Sequence, residues 1–188
     1  FNANDWSGKL LAYDISLNGT ISATPAWNAG ELMNPVLTPT FSPASRVILT
    51  YNKGVTGAAP RGIPFKWKGT PAAPTIDADS LTTAQVTALG RNAGGTFQSF
   101  EEGEKRLRYL RGEASAEGPQ PNDYRRRDTS KLGDIVNSNP IFVGSPNAGF
   151  FDASYATFRL NNINRTPVIY VGANDGMLHG FNASTVNV

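Results

Sequence analysis

The sequence predicts a mainly β fold, and three observations lead to that prediction. The chain has 19 glycines and 13 prolines with only 17% charged residues, which is typical of an ordered, loop-rich β protein. An apolar run at 168–171, a turn at Asn174-Asp175-Gly176 and a short return strand to Phe181 form the pattern of a β-hairpin. Gly and Asn or Asp tolerate the positive φ of primed hairpin turns, so a primed turn is expected here. Half of this hairpin recurs near the start of the chain. Together these features predict a repeated β architecture.

The repeat consists of residues 8–14 and 176–182, which align without gaps. Each copy reads Gly, any residue, Leu, any residue, small, aromatic, Asp or Asn, and each follows an Asn-Asp pair. Such strand-turn repeats are typical of β-propellers, whose blades are four-stranded sheets repeating about every 40–50 residues. The copies start 168 positions apart, so either degenerate blades or one large insertion separates them. The intervening sequence favours an insertion.

We therefore divide residues 1–188, a partial propeller domain, into three parts. Residues 1–27 form the first blade strand and its turn, residues 28–165 an insertion with further strands, and residues 166–188 the blade hairpin. At about 40 residues a blade the chain cannot close a ring, so we expect it to belong to a larger protein. No segment is predicted to span a membrane.

Within the insertion, the sequence predicts strands at 46–51, 63–67 and 140–144, with Pro64 marking an edge strand. Glycine- and proline-rich loops are expected at 54–62 and 68–75. The sequence also predicts one or two short helices. The first covers residues 81–89, with Asp79-Ser80 as its cap and Gly90 at its end, and the second covers about 98–111.

Charged residues are concentrated between 101 and 131, where 15 of the 32 lie and where acidic and basic side chains are interleaved. We interpret this run as a solvated surface with local ion pairs. A net charge of +2 and the lack of an aromatic ladder for stacked bases argue against nucleic acid as a partner.

The residues give little support to catalysis or metal binding. There is no cysteine, and His179, the single histidine, lies mid-strand, where a packed side chain is expected rather than a general base. Asp5 and Asp175 are expected to accept hydrogen bonds from local backbone groups of their turns. Asp77 and Asp79 are the candidates for a metal site, but a third acid is missing and a helix cap explains them more simply. No catalytic residue and no cofactor are predicted.

Several motifs, in the same order along almost the whole chain, resemble the C-terminal propeller domain of PilY-type proteins. These proteins are type IV pilus biogenesis factors and tip-associated adhesins of Gram-negative bacteria. The motifs are Asp5-Trp6-Ser7-Gly8, Arg46-Val47-Ile48-Leu49-Thr50, Arg108-Tyr109-Leu110-Arg111-Gly112-Glu113, Arg125-Arg126-Arg127-Asp128, Lys131-Leu132-Gly133-Asp134-Ile135-Val136-Asn137-Ser138 and the hairpin at 167–183.

The resemblance implies a fragment of a quinoprotein-like, modified seven-bladed propeller. Ala12, Asp14, Gly19 and Trp27 are similar to the blade pattern in which the tryptophan packs between neighbouring sheets. The implied protein is non-enzymatic and is exported to the cell surface or pilus tip, in association with the outer membrane. Its partners would be pilins, minor pilins, host cells or abiotic surfaces, and it would support pilus extension, twitching motility and adhesion.

Two departures limit what the resemblance carries over. The family's calcium loop needs more acids than this chain offers, so calcium is expected elsewhere in the full-length protein. Arg111-Gly112-Glu113 is the candidate binding segment, but it has Glu where an integrin ligand has Asp, and we expect little integrin recognition.

Two other functions stay open at this stage. One is a pyrroloquinoline-quinone dehydrogenase built on the same propeller type, which would need a quinone, calcium and a catalytic Asp. The other is a plain scaffold in which the insertion alone binds a partner.

Overall fold

The computed structural model describes residues 6–34, 38, 41–54, 59–121 and 123–184. The chain forms two compact units: Phe1–Leu32 together with Thr129–Val188, and Met33–Asp128. The second unit thus lies inside the predicted insertion of 28–165, while residues 129–165 group with the two ends of the chain.

The strands and helices follow one another in short segments. In chain order they are β1 (Leu11–Ala12), β2 (Trp27–Asn28), α1 (Ala29–Leu32), β3 (Leu49–Asn52), β4 (Arg61–Pro64), β5 (Gly69–Thr70), β6 (Ala73–Pro74), α2 (Thr83–Leu89), α3 (Phe100–Arg111), β7 (Ile141–Val143), α4 (Ala153–Asn161), β8 (Val168–Gly172) and β9 (Leu178–Asn182). The mainly β prediction is confirmed in its broad form, as small antiparallel sheets with a few helices.

The first unit is built on the three-stranded antiparallel sheet β7-β8-β9. Ile141 lies opposite Tyr170, and Tyr170 lies opposite Gly180. The predicted hairpin is confirmed as β8 and β9, and the strand predicted at 140–144 is β7. β1 pairs separately with β2, so the two repeat copies lie in different sheets.

The turn between β8 and β9 differs from the primed turn that Asn174-Asp175-Gly176 indicates. The Gly176 amide donates to the Ala173 carbonyl at 3.2 Å, and Gly176 alone in this turn has a positive φ, 81°. This is the three-residue loop in which a glycine in the left-handed region closes the hairpin. The turn is therefore not of the primed type, because Gly176 alone supplies its left-handed geometry.

The second unit packs two helices against the β3–β4 hairpin. Its core consists of Ile63, Leu81, Val86 and Leu107. The helices predicted at 81–89 and 98–111 are confirmed as α2 and α3. The following partly buried side chains pack around this core: Phe65, Trp67, Leu89 and Phe100.

The start of α2 corrects the predicted cap. Thr82, not Asp79-Ser80, is the N-cap, and it forms a reciprocal capping box with Gln85. At the C-terminal end of α3, Gly112 adopts a φ of 109°, the left-handed conformation that ends many helices.

In the connecting segments one prediction was wrong and one helix was not predicted. Residues 68–75, predicted as a loop, contain the small β5–β6 hairpin. The aromatic stretch at 150–158 gave no helix prediction, yet Asp152 caps α4 by accepting from the Tyr155 amide at 2.9 Å. No residue of α4 is buried, so the helix lacks the apolar stripe by which sequence patterns reveal helices.

Among the described residues, no helix has the length and apolar character needed to cross a membrane.

Candidate functional site

Both repeat copies contact one short segment of the chain. The Gly8 amide donates to the Leu132 carbonyl at 3.0 Å, and Ser7 forms an antiparallel bridge with Gly133. From the second copy, the Asn174 amide donates to the Asp134 carbonyl at 2.9 Å. We call this three-way contact, formed by residues 7–8, 130–134 and 174–179, the junction.

Glycines make the close approach at the junction possible. A Cβ on Gly8 would lie 2.3 Å from the Gly133 carbonyl oxygen, and one on Gly133 would lie 2.8 Å from the Asp175 amide nitrogen. Any side chain at these two positions would therefore collide with backbone. The glycines allow three backbone segments to meet without side chains between them.

The Asp175 carboxylate joins the turn of the second copy to the central segment. One oxygen accepts from the Met177 amide at 3.0 Å, which confirms the predicted local turn contact. The other accepts from the Gly133 amide at 3.3 Å and lies 2.8 Å from His179 Nε2. The corresponding Asp5 of the first copy lies outside the described residues.

The hydrogen bonds control the ionisation of Asp175. Burial alone would raise the pKa of this carboxyl, but the hydrogen bonds from His179, Met177 and Gly133 outweigh that effect and hold the pKa below its ordinary value of 3.8. The carboxylate is therefore charged at neutral pH. His179 is only 6% exposed and stacks on Phe181, so it is the packed strand residue that the sequence predicts.

Further buried polar groups complete the junction. The Ser130 hydroxyl donates to the Gly8 carbonyl at 3.4 Å and accepts from the Leu132 amide at 3.1 Å. The Asn174 side chain donates to the Asp134 carboxylate at 2.8 Å. These bonds satisfy polar groups that burial would otherwise leave unpaired.

An aromatic contact links the two sheets of the first unit. The rings of Trp27 in β2 and Phe181 in β9 have centroids 6.2 Å apart. A tryptophan between neighbouring sheets is what the quinoprotein-like pattern implies for Trp27. Phe181 occupies the aromatic position of the second repeat copy, so a residue of the repeated motif forms this contact with Trp27.

The candidate binding segment Arg111-Gly112-Glu113 lies in the second unit. The Arg111 side chain is buried, and its guanidinium donates to four main-chain carbonyls, those of Phe65, Pro43, Ala44 and Arg46, at 2.9–3.2 Å. Arg111 and Glu113 line a shallow pocket of about 210 Å³. The geometry favours a structural role for Arg111, and the binding role of the segment stays a prediction.

The candidate metal ligands Asp77 and Asp79 have separate partners. Asp77 binds Lys68, whose hydrogen bond lowers the pKa of Asp77, and it also accepts from the Asp79 amide. Asp79 pairs with Arg61 at 3.4 Å. No cluster of three or more His, Asp or Glu side chains suited to a metal ion occurs in the described part of the chain.

The charged run at 101–131 is only partly the solvated surface that we predicted. Lys105 with Glu102 and Arg108 with Glu104 are local pairs of that kind. In contrast, Arg127 is buried, bonds Glu117 at 2.7 Å and lies 3.7 Å over the Tyr109 ring. The following basic residues are likewise buried: Arg111 and Lys131. The interleaving of charges in the sequence did not reveal these buried side chains, because buried and exposed ion pairs consist of the same residue types.

Sequence reasoning recognised the junction residues as motifs but not as one site. The sequence did carry a signal of this site, because both copies share the same Gly and Asn-Asp pattern. Gly133-Asp134 supplies the amide that donates to Asp175 and the carbonyl that accepts from Asn174. The contact over 122 positions between Ser7 and Thr129, at 3.3 Å, has no signature in local sequence.

Comparison with known proteins adds independent information. The family model described as the PilY1 beta-propeller domain matches residues 132–187, which include residues 132–134 of the junction, the sheet β7-β8-β9 and the second repeat copy. No solved structure matches the chain significantly.

Curated relatives match nearly the whole chain. A type IV pilus biogenesis factor PilY1 homolog from Xylella fastidiosa is 51% identical over 98% of this chain and 12% of its own length. PilY1 of Pseudomonas aeruginosa strain UCBPP-PA14 is 33% identical over 96% of this chain and 14% of its own length. A second Xylella homolog is 32% identical over 96% of this chain and 13% of its own length.

The chain thus spans only about an eighth of the length of these relatives. The propeller match covers the sheet β7-β8-β9 and residues 174–179 of the junction. We conclude that the chain belongs to the PilY1-type family, with residues 132–187 in the region that matches its β-propeller domain.

Proposed function

We propose that the protein containing this chain is a non-enzymatic type IV pilus biogenesis factor. The observation that carries the proposal is similarity over 96–98% of the chain to proteins named as such factors. In this proposal the chain is part of a rigid, quinoprotein-like propeller of seven blades, exported to the cell surface or pilus tip. The junction holds the scaffold together while its loops contact other molecules.

The finer activities belong to the same proposal. The protein promotes pilus extension by contact with pilins or minor pilins, and it supports twitching motility and adhesion to host or abiotic surfaces. Calcium binds elsewhere in the full-length protein. The Arg111 guanidinium is occupied by carbonyl groups, so adhesion is assigned to exposed loops rather than to this arginine.

A genetic experiment tests the proposal. The gene is deleted in its own bacterium and replaced either by the wild type or by a form in which a short linker substitutes for residues 33–128. Pilin in the sheared surface fraction and attachment per piliated cell are measured separately. Loss of surface pili on deletion and restoration by the wild type are expected, and full piliation of the deletion strain would contradict the proposal.

The form without residues 33–128 distinguishes scaffold from binding roles. If the second unit carries adhesion, this form restores pili but not attachment; unchanged attachment would remove that unit from the adhesion mechanism.

The quinone dehydrogenase alternative receives no support from the comparisons, whose named relatives are pilus factors. Dye reduction by the intact protein after loading with the quinone would overturn the non-enzymatic assignment.

A further inference from the structure

The connection between β7 and β8 is much longer than two paired strands need. β7 ends at Val143 and β8 begins at Val168, whereas most hairpin loops have about 2–5 residues. We call residues 144–167, which contain α4, the excursion. It leaves the sheet at the start of β8, while the β8–β9 turn of the junction follows the other end of β8. Sheets pack through their faces, so the packing of another sheet on β7-β8-β9 does not cover a segment that leaves from the strand ends.

Hydrogen bonds close the excursion at its neck. Arg165 Nε donates to the Gly144 carbonyl at 2.5 Å, and the Ser145 hydroxyl donates to the Ile163 carbonyl. The two ends are therefore held together, as in the compact surface loops that pack on their own side chains.

Aromatic side chains order the inside of the excursion without being buried. The Tyr155 hydroxyl accepts from the Ala148 amide at 2.7 Å. The Tyr155 ring meets Phe150 edge-on, with centroids 5.3 Å apart, and its centroid lies 6.0 Å from that of Phe158. No residue of α4 is buried, so these contacts fix the shape of the excursion and leave it open to solvent.

The aromatic side of the excursion is an exposed apolar surface. Tyr155, Phe158 and Arg159 share one side of α4, because positions i, i+3 and i+4 are neighbours on a helix. Phe150, which contacts Tyr155, and the adjacent Phe151 extend this side into the loop before α4. Phe150 is 68% exposed, and Phe151 is fully exposed. We call these five residues the aromatic face; exposed apolar patches of this kind mark sites of interaction with proteins or membranes.

The charges of the excursion are complementary to an anionic surface. Its basic residues are Arg159 and Arg165, and its single acid is Asp152. The Asp152 carboxylate is engaged at the N-cap of α4, where it accepts from the Tyr155 amide. Arg159 lies exposed in the last turn of α4, and within the ranges that the structure describes no carboxylate pairs with it. A partner with negative groups beside an apolar layer satisfies both the arginine and the aromatic rings.

A lipid bilayer has this chemistry and suits the shape of the aromatic face. Segments that lie in a membrane interface combine aromatic and apolar side chains with basic residues that meet lipid phosphates. The Phe151 side chain stands clear of its neighbours. A fluid bilayer accepts such a projecting ring without a preformed pocket.

We propose that the aromatic face binds the surface of an anionic lipid bilayer, with Phe150, Phe151 and Phe158 among the headgroups and Arg159 at the lipid phosphates. The contact is peripheral and uses no membrane-spanning helix. It goes beyond the proposed function, because it assigns a lipid ligand to one segment. Vesicle binding is measured without pili, so its failure would leave the pilus assignment unchanged.

Co-sedimentation of purified full-length protein with vesicles tests the proposal. The probes are vesicles of phosphatidylcholine alone and of phosphatidylcholine mixed with anionic phosphatidylglycerol. The wild type should prefer the anionic vesicles, and rising salt should weaken this preference. The double variant Phe150→Ser/Phe151→Ser should bind the anionic vesicles at least about tenfold more weakly. Arg159→Gln should lose part of the preference for them.

Leu160→Ser is the matched control for these variants. Leu160 is 71% exposed in the same helix, but the helical period places it away from the aromatic face. This variant should bind as the wild type does. Absence of vesicle binding by the wild type, or equal binding by the double variant and Leu160→Ser, would overturn the proposal.

Hydroxyl-radical footprinting of the unsubstituted full-length protein covers the case in which the double variant does not fold. Anionic vesicles should suppress oxidation of Phe151 and leave Leu17, which is also fully exposed in this chain, unchanged. Protection of Phe151 that is already complete without vesicles would overturn the proposal by identifying protein as the cover of the aromatic face.

Discussion

At the scale of single residues, the Asp175 carboxylate has three partners at the junction. It accepts from the amides of Met177 and Gly133 and pairs with His179, so one side chain fixes a turn, a strand and a distant segment. Removing one partner of such a buried network leaves the others unpaired, at a cost of about 1–3 kcal/mol.

The lowered pKa of Asp175 predicts a pH dependence with a definite sign. A carboxyl whose pKa in the folded state is below its ordinary 3.8 stabilises the fold above that pH, and this contribution is lost as the pH falls through the folded-state pKa. Hydrogen exchange of peptides containing Gly133 and Met177 should therefore speed up, relative to the rest of the unit, when full-length protein is acidified below about pH 4.

The variant Asp175→Asn provides the matching control for this effect. It should already exchange faster at neutral pH and show little further acid sensitivity at these peptides, whereas Asp14→Asn, at an exposed position, should behave as wild type. Acid sensitivity of Gly133 that is the same in Asp175→Asn would show that another group is responsible.

The glycines of the junction lead to a second prediction at this scale. Gly8→Ala should destabilise the first unit by about 1–3 kcal/mol, because the added methyl group meets the Gly133 carbonyl, which cannot move without breaking the junction. Gly149→Ala is the control, since nothing lies within 4 Å of its Cβ position. Local exchange at 130–134 measures the difference, and equal behaviour of the two variants would argue against the close backbone contact.

At the scale of elements, Arg111 ties the C-terminal end of α3 to the segments before β3 and after β4. Its planar guanidinium donates to four carbonyls, and Arg46 donates in return to the Arg111 carbonyl at 2.9 Å. A lysine has a single ammonium group and cannot reproduce the planar set of N–H donors that the guanidinium offers to these carbonyls.

Arg111→Lys should therefore destabilise the second unit by about 2–3 kcal/mol, since several buried carbonyls lose their donors. Arg125→Lys, at an exposed position nearby in sequence, should be neutral. Limited proteolysis of full-length protein, followed between residues 33 and 128, checks both. Unchanged proteolysis of Arg111→Lys together with weaker adhesion would instead support a binding role for the Arg111 segment.

The elements also show what sequence could and could not predict. The β8–β9 hairpin, α2 and α3 were predictable, because local periodicity, turn residues and helix ends encode them. α4 was not, since all its side chains are exposed or half-buried and no apolar stripe marks it. The primed turn was mispredicted because Asn-Asp-Gly suits several hairpin loops, and only the backbone of Gly176 decides among them.

At the scale of the whole molecule, the repeat predicted a circular β architecture, and the family match assigns residues 132–187 to a propeller domain. The repeat did not predict that both copies meet at residues 130–134. Such a contact depends on how distant segments pack, which neither hydrophobic period nor motif spacing specifies. The burial of Arg111, Arg127 and Lys131 could not be predicted from the sequence for the same reason.

The junction brings together segments 122 positions apart, and a disulfide tests this most directly. The hydroxyl oxygens of Ser7 and Thr129 are 3.3 Å apart, so Ser7→Cys and Thr129→Cys together should oxidise to a disulfide in the folded full-length protein. Mass spectrometry should find the two peptides cross-linked under mild oxidation and separate after reduction, with neither single variant cross-linked. Free thiols at both positions in folded, oxidised protein would contradict the junction.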